Sequence, residues 1–321
     1  MKKNGIPIFF LSLLLLSFIK LTAQNYTISG YVQEAKSGEK LINANVYDEA
    51  SLKGTITNVY GFYSLTLPKG KHTIIYSYIG FGMVRKEINL TEDLDLTVSL
   101  EQNLMIEEVL VTEKSSLRKV ESSQMSLDEI PVKTINQLPV LFGEADVIKT
   151  VQLLPGVQSG MEGASGLYVR GGGPDQNLVL LDGVPVYNVS HLFGFFSVFN
   201  PDAVNSIQLV KGGFPARYGG RLSSVLDIRM KEGNMKEYDA KASVGLISSK
   251  LTFEGPIIKN KAAFIVSARR TYIDILTRPV IDLWVKTKED NVDKMAPPYY
   301  FHDLNTKLTY KFFEKSRLYL S

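Results

Sequence analysis

Short apolar runs separated by turn residues dominate this chain, and over most of its length their period is two rather than 3.6. Phe62, Ser64 and Thr66 alternate with Tyr63, Leu65 and Leu67 before the turn Pro68-Lys69-Gly70. Tyr26–Val32, Ala44–Tyr47 and Asp95–Leu100 read as further strands, the stretch Gly54–Gly61 leads into the Phe62 strand, and Thr73–Ile79 reads as a nearly continuous buried one. Turns at intervals of about 8–12 residues predict a small β-sandwich over residues 24–103. Helical spacing is confined to residues 143–154, where Val147, Ile148, Val151 and Leu154 share a face and Pro155-Gly156 stops the run. Leu127–Val132 opens this middle region, and Leu167–Arg170, Asn177–Leu181, Ser206–Val210 and Ser224–Met230 are its strands. Asp182-Gly183 is a tight hairpin turn, and a mixed α/β unit over 126–230 results.

In the last part, Leu304, Thr306, Leu308, Tyr310 and Phe312 alternate with Asn305, Lys307, Thr309 and Lys311. One face can meet lipid and the other a wet lumen, which is the pattern of a transmembrane β-barrel strand, although a soluble sheet with one wet face has the same period. Lys241–Phe253 and Ala262–Ala268 are two earlier strands, with Gly255-Pro256 opening a connection between them. Thr271–Asp303 is polar and contains proline, which predicts a long loop; after the turn Glu314–Ser316, Arg317–Ser321 begins another strand.

The N-terminus changes the picture of compartment. Met1-Lys2-Lys3 is basic, an apolar run follows from Ile6 to Ile19, and small residues end at Ala23 before Gln24. This is the order of a secretory signal peptide over residues 1–23, too short for a comfortable membrane helix of about 20 apolar residues. The chain has no cysteine, so disulfides and thiolate metal sites are impossible. A net charge of +3 over 321 residues gives no warrant for a nucleic-acid partner. His72, His191 and His302 are far apart in sequence and sit in no metal or nucleophile motif, and no cofactor is called for. His72 reads as a solvated histidine at a strand end.

The segment Ser165–Tyr187 together with Val210–Arg221 resembles the plug domain of TonB-dependent outer-membrane receptors. The residues that carry the likeness are Arg170, Gly171, Gly172, Gly173, Asp182, Gly183, Gly212, Gly213, Arg217, Gly219, Gly220 and Arg221. The glycine run lacks the Lys and Ser/Thr that a phosphate-cradling loop needs, since Pro174-Asp175 follows it. Ile28–Val32, Gly54-Thr55 through Asn58 to Gly61-Phe62-Tyr63, and Tyr78–Phe81 resemble the carboxypeptidase-regulatory-like domain, a transthyretin-like sandwich. A SusC-type plug ending is missing, so the resemblance does not imply a lipoprotein lid.

What this implies is a mainly β protein with some α structure: signal peptide 1–23, sandwich 24–103, linker 104–125, plug 126–230, and over 231–321 the first strands of an incomplete transmembrane β-barrel. In such receptors the linker carries the TonB box, and Glu107, Glu108, Val109, Leu110, Val111 and Thr112 look like one; a short extended stretch of this kind can add as a strand to a partner's sheet. The implied partners are TonB in the periplasm, outer-membrane lipid and an extracellular ligand, with no catalytic residues. Asp182, Arg170, Arg217 and Arg221 are candidates for ion pairs between plug and barrel wall, against the alternative of solvated loop charges. A plugged barrel has about 22 strands of about 9–11 residues. Residues 231–321 have room for about four, so the expected chain is the N-terminal part of a longer receptor. The alternatives are a periplasmic binding or signalling module without a barrel and, more weakly, a secreted peptidase fragment.

Overall fold

The computed structural model describes residues 24–103, 127–130, 132, 135, 144–160, 166–286, 299–313 and 316–321. The expected signal peptide, residues 1–23, and the candidate TonB box Glu107–Thr112 lie outside them. The chain divides into two units, the first built from most residues up to Leu100 and the second from Glu101 onward together with Glu34–Lys40 and Ile79–Phe81.

In the first unit β-branched and aromatic residues build β1 (Asn25–Glu34), β2 (Asn45–Asp48), β3 (Gly54–Ile56), β4 (Phe62–Pro68), β5 (Gly70–Ser77), β6 (Val84–Leu90), β7 (Leu94–Asp95) and β8 (Val98–Leu100). One sheet runs β4-β1-β7 with β8 also on β1, the other β3-β2-β5-β6. The alternation in β4 resolves as its side chains imply: Tyr63, Leu65 and Leu67 enter the core, while Ser64 and Thr66 stay outside. After Ile56 the chain turns, because the Asn58 side-chain oxygen accepts from Tyr60 N and Phe62 N and Gly61 is left-handed. Strand β6 carries no apolar alternation; pairing along β5, with Ile74 opposite Lys86, makes it a strand.

His72 is not a solvated strand-end histidine. Its Nδ1 lies 3.3 Å from Asp48 Oδ1 and its Nε2 2.8 Å from the Pro68 carbonyl. Ser51 N and Oγ donate to the other Asp48 oxygen at 2.9 and 2.6 Å. Burial raises the Asp48 carboxyl, but the bonds from Ser51 and from His72 outweigh it, and the group sits below its ordinary value of 3.8. A carboxyl depressed on folding adds stability that is complete above 3.8 and is lost as pH falls through the lower, folded value. Asp48→Asn is therefore expected to cost about 1–3 kcal/mol at neutral pH. Denaturant titrations of the full chain should show the gap to the parent narrowing as pH drops below 3.8. A gap that stays constant down to acid pH would count against this account.

The second unit opens with β9 (Leu127–Ile130), α1 (Val147–Gln152), β10 (Val157–Gln158), β11 (Tyr168–Val169), β12 (Asn177–Leu181), β13 (Val184–Pro185), β14 (Ser190–His191), β15 (Phe196–Ser197), β16 (Val204–Val210) and β17 (Ser224–Met230). Five of these strands form a sheet in the order β13-β12-β17-β16-β9, with β12 and β17 parallel. Val179, Ile207, Leu209, Leu226 and Ile228 on one face pack with Val147, Ile148 and Val151 of α1. The helix is shorter than its apolar spacing suggests. Asp146 has extended backbone and caps the first turn by accepting from Lys149 N, so 144–146 are not helical.

A five-stranded antiparallel wall follows: β18 (Asp239–Val244), β19 (Ser248–Ile258), β20 (Ala262–Thr271), β21 (His302–Phe313) and β22 (Ser316–Leu320) in sequential order. This is one strand more than the length arithmetic allowed. Lys241–Phe253 is split between β18 and β19 by a turn closed by Gly245 N on Ser248 O, and Gly255-Pro256 lies inside β19. The reversal into β20 comes at Asn260, which takes the left-handed conformation. The stretch expected as a polar loop contains helix α2 (Ile273–Lys286). No described helix is long and apolar enough to cross a membrane, which says nothing about strands.

Candidate functional site

Register makes the wall inside-out. Leu251, Ala268 and Leu304 stand opposite one another across β19, β20 and β21, and Phe264, Leu308 and Leu320 across β20, β21 and β22. This apolar face is open: Val244 is 83% exposed, Leu304 68% and Leu320 64%. The other face is polar and buried, with Thr252, Ser267, Arg269, Lys307 and Thr309 all under 9% exposed. A water-soluble sheet buries its apolar face and wets its polar one; this sheet does the reverse.

The buried polar face meets the central domain through a connected set of charges. Arg269 on β20 is 1% exposed at its side chain. Its Nη1 donates to Glu144 Oε1 at 3.1 Å, its Nε and Nη2 to Asp303 Oδ2 at 2.8 and 2.5 Å, and its Nη2 also to the Ser197 carbonyl at 2.5 Å. Glu144 further takes Lys250 Nζ at 3.4 Å and the Ser248 hydroxyl. Asp303 reaches His191 Nε2 at 2.6 Å, and the His191 ring stacks on Phe301 with centroids 4.1 Å apart. Capping residue Asp146 accepts from Ser197 N at 2.6 Å, which ties α1 to the β14–β15 hairpin and so to Arg269. Three residues far apart in sequence, Glu144, Ser197 and Asp303, thus converge on one guanidinium.

Further contacts flank this hub. Asn200 Nδ2 donates to Ser267 Oγ at 2.6 Å, and Asp202 pairs with Lys241. Lys307 Nζ lies 3.0 Å from Asp182 Oδ1 and 3.1 Å from the Met230 carbonyl. Asp182 Oδ1 also accepts from Met230 N at 3.0 Å. Arg317 pairs with Glu232 at 2.9 Å. An open cavity of about 980 Å³, lined among others by Tyr168, Tyr187, Asn188, Arg221 and Tyr299, borders the hub through His191.

The residues singled out in the sequence have different fates. Asp182 and Gly183, at φ 50° and 85°, form the two-residue turn between Leu181 and Val184, and Asp182 is paired with the wall. Its partner is Lys307, and none of the three arginines takes that place. Arg217 lies over its neighbour Tyr218, 4.7 Å from the ring centroid, and Arg221 Nη1 donates to Gly220 O. Arg170 is exposed in the turn Val169–Gly172, with Gly171. Gly172 is required by close approach, since a Cβ there would lie 2.4 Å from Ser223. Gly173 precedes the turn Pro174–Gln176, and Gly212, Gly213, Gly219 and Gly220 lie in the connection between β16 and β17. Gln24 immediately precedes β1. Nothing in the sequence singled out Glu144, Arg269 or Asp303, and His191 stood there only as one of three scattered histidines in no motif. The one available signal was the strand period, which put Lys307 on the wet side of β21.

Comparison with known families agrees with this architecture. The CarboxypepD_reg-like domain matches residues 28–111, and the TonB-dependent receptor plug domain matches residues 119–224. This chain carries a TonB-dependent receptor plug. The plug is followed by the five-stranded β wall, and the protein is mainly β. TonB-dependent receptor P39 of Formosa agariphila is 28% identical over 247 residues, covering 74% of this chain and 23% of that protein. TonB-dependent receptor SusC of Bacteroides thetaiotaomicron is 26% identical over 250 residues, covering 72% and 24%. The chain thus spans under a quarter of the length of these relatives. Among solved structures, the siderophore receptor PirA from Pseudomonas aeruginosa aligns over 59% of this chain and 31% of its own, at 18% identity and a TM-score of 0.39.

Proposed function

We propose that this chain serves TonB-dependent, energy-coupled uptake of an extracellular ligand through an outer membrane, as a receptor and not as an enzyme. In this reading residues 1–23 direct export and are removed after Ala23. The apolar face of β18–β22 meets lipid, and the plug closes the lumen. TonB pairs with the segment Glu107–Thr112 and pulls. The single observation that supports it most is the buried charge network between plug and wall. Buried ion pairs contribute little net stability while fixing geometry, so the network orients the plug without making its release prohibitive. A module acting in the periplasm without a barrel would leave the apolar face of five strands in water, and for that reason the receptor reading is preferred.

Two measurements test it. After cell fractionation the protein should be recovered with outer membranes, and recovery among soluble periplasmic proteins would overturn the receptor reading. Val109→Pro removes a main-chain donor from the proposed pairing strand and should weaken binding of the purified periplasmic domain of TonB by roughly tenfold or more. Undiminished binding would overturn the assignment of that segment alone.

A further inference from the structure

Strands β16 and β17 are adjacent and antiparallel, so about 2–5 residues would suffice to join them. The connection instead runs from Lys211 to Ser223 and folds back over the sheet face opposite α1. Phe214 and Tyr218 of the connection pack there on Leu180, Val210 and Val225. Beside this apolar patch, on the same face of β17, stands Asp227, a carboxylate only 2% exposed. Tyr218 Oη donates to Asp227 Oδ2 at 3.0 Å, and Arg229 Nη2 donates to the same oxygen at 2.9 Å. Oδ1 of Asp227 makes no hydrogen bond among the described residues. Burial, with Asp227 alongside, raises the Tyr218 hydroxyl above its ordinary value, which keeps it protonated and donating.

Glycines bracket the covering segment. Gly212 and Gly213 before it and Gly220 after it are left-handed, at φ 77°, 61° and 79°. A Cβ at Gly213 or Gly220 would meet nothing within 4 Å, so packing does not demand glycine there. Backbone freedom does. Beyond Gly220 the chain is pinned again, since Leu222 N and Ser223 N both donate to Gln176 O.

We propose that residues 213–220 form a hinged flap, latched by Tyr218 on the buried Asp227, which opens on this face of the plug sheet while the sheet stays joined to the wall. The closed state leaves a half-satisfied carboxylate, and opening hydrates it. The two states therefore lie close in free energy, and one hydroxyl holds the balance. An open flap exposes the Asp227–Arg229 pair and the Val210/Val225 patch without disturbing Arg269 or Lys307. This goes beyond the uptake reading, and its test needs neither ligand nor energy, so the two can fail separately.

The absence of native cysteine makes the test clean. Val225→Cys places a near-isosteric thiol under the flap, and Ala203→Cys places one in the cluster that packs against Ile265 of the wall. Both are labelled with N-ethylmaleimide in the full chain, with and without Tyr218→Phe. Tyr218→Phe should speed labelling at position 225 roughly tenfold, the effect of losing a hydrogen bond to a charged group, and leave position 203 unchanged. Equal acceleration at both positions would mean that the plug loosens as a whole, and no acceleration at 225 would mean that Tyr218 is no latch. Either result overturns the proposal.

Discussion

Arg269→Met is expected to destabilise the seat of the plug by about 3–5 kcal/mol, the cost of removing one partner from a buried charge cluster. The side chain is 1% exposed and bonds Glu144, Asp303 and the Ser197 carbonyl. Methionine fills much of the volume but leaves the buried Glu144 and the largely buried Asp303 without the cation that joins them. Lys250 lies 3.4 Å from Glu144 and His191 Nε2 2.6 Å from Asp303, but neither bridges the two carboxylates as the guanidinium does. Arg269→Lys should recover little, because one ammonium cannot reproduce the forked geometry that reaches two carboxylates and a carbonyl at once. Adding Glu144→Gln to Arg269→Met should restore part of the loss, since it removes one of the two stranded charges. Urea titration of the full chain, with protease sensitivity of residues 144–202 as the readout, measures all three variants. A loss below about 1 kcal/mol for Arg269→Met, the range of exposed pairs, would mean that the cluster is not dry.

Gly30→Ala is expected to cost the sandwich about 3 kcal/mol or more, whereas Gly70→Ala should cost about 1 kcal/mol. The two glycines have nearly the same φ, 153° and 149°. Their surroundings differ. A Cβ at Gly30 would sit 2.2 Å from the Leu96 carbonyl oxygen and 2.6 Å from its carbon, backbone atoms that cannot swing aside. A Cβ at Gly70 would meet nothing within 4 Å, so only backbone strain remains. The contact at Gly30 is where β1 pairs in parallel with β7, Ser29 opposite Asp95, and where Leu96 N donates to Ser29 O. Alanine forces that edge apart and opens the core behind Ile28. Hydrogen exchange at β1 and β7 in the full chain separates the variants. Equal protection in both would show that β7 yields freely, and that the close approach does not matter.

The strands were legible in the chain because a strand's face is a local property. Side chains two apart share an environment whatever the rest of the fold does, so Tyr63, Leu65 and Leu67 could be placed inside, and Leu304 and Leu308 on the apolar side of their strand, from spacing alone. The Asp182-Gly183 turn was legible for the same reason: two residues with φ above zero, flanked by apolar strands, leave few alternatives. Helix length was not, because capping by Asp146 is a choice between neighbouring side chains that the apolar spacing does not record. Which charges meet could not be read at all. Glu144 and Arg269 lie 125 positions apart, as do Asp182 and Lys307, and His191 and Asp303 are 112 apart. Hydrophobic period fixes the side of a strand on which a charge stands, but only the docking of one sheet against another decides its partner, and in a buried site the partner determines what the charge is worth.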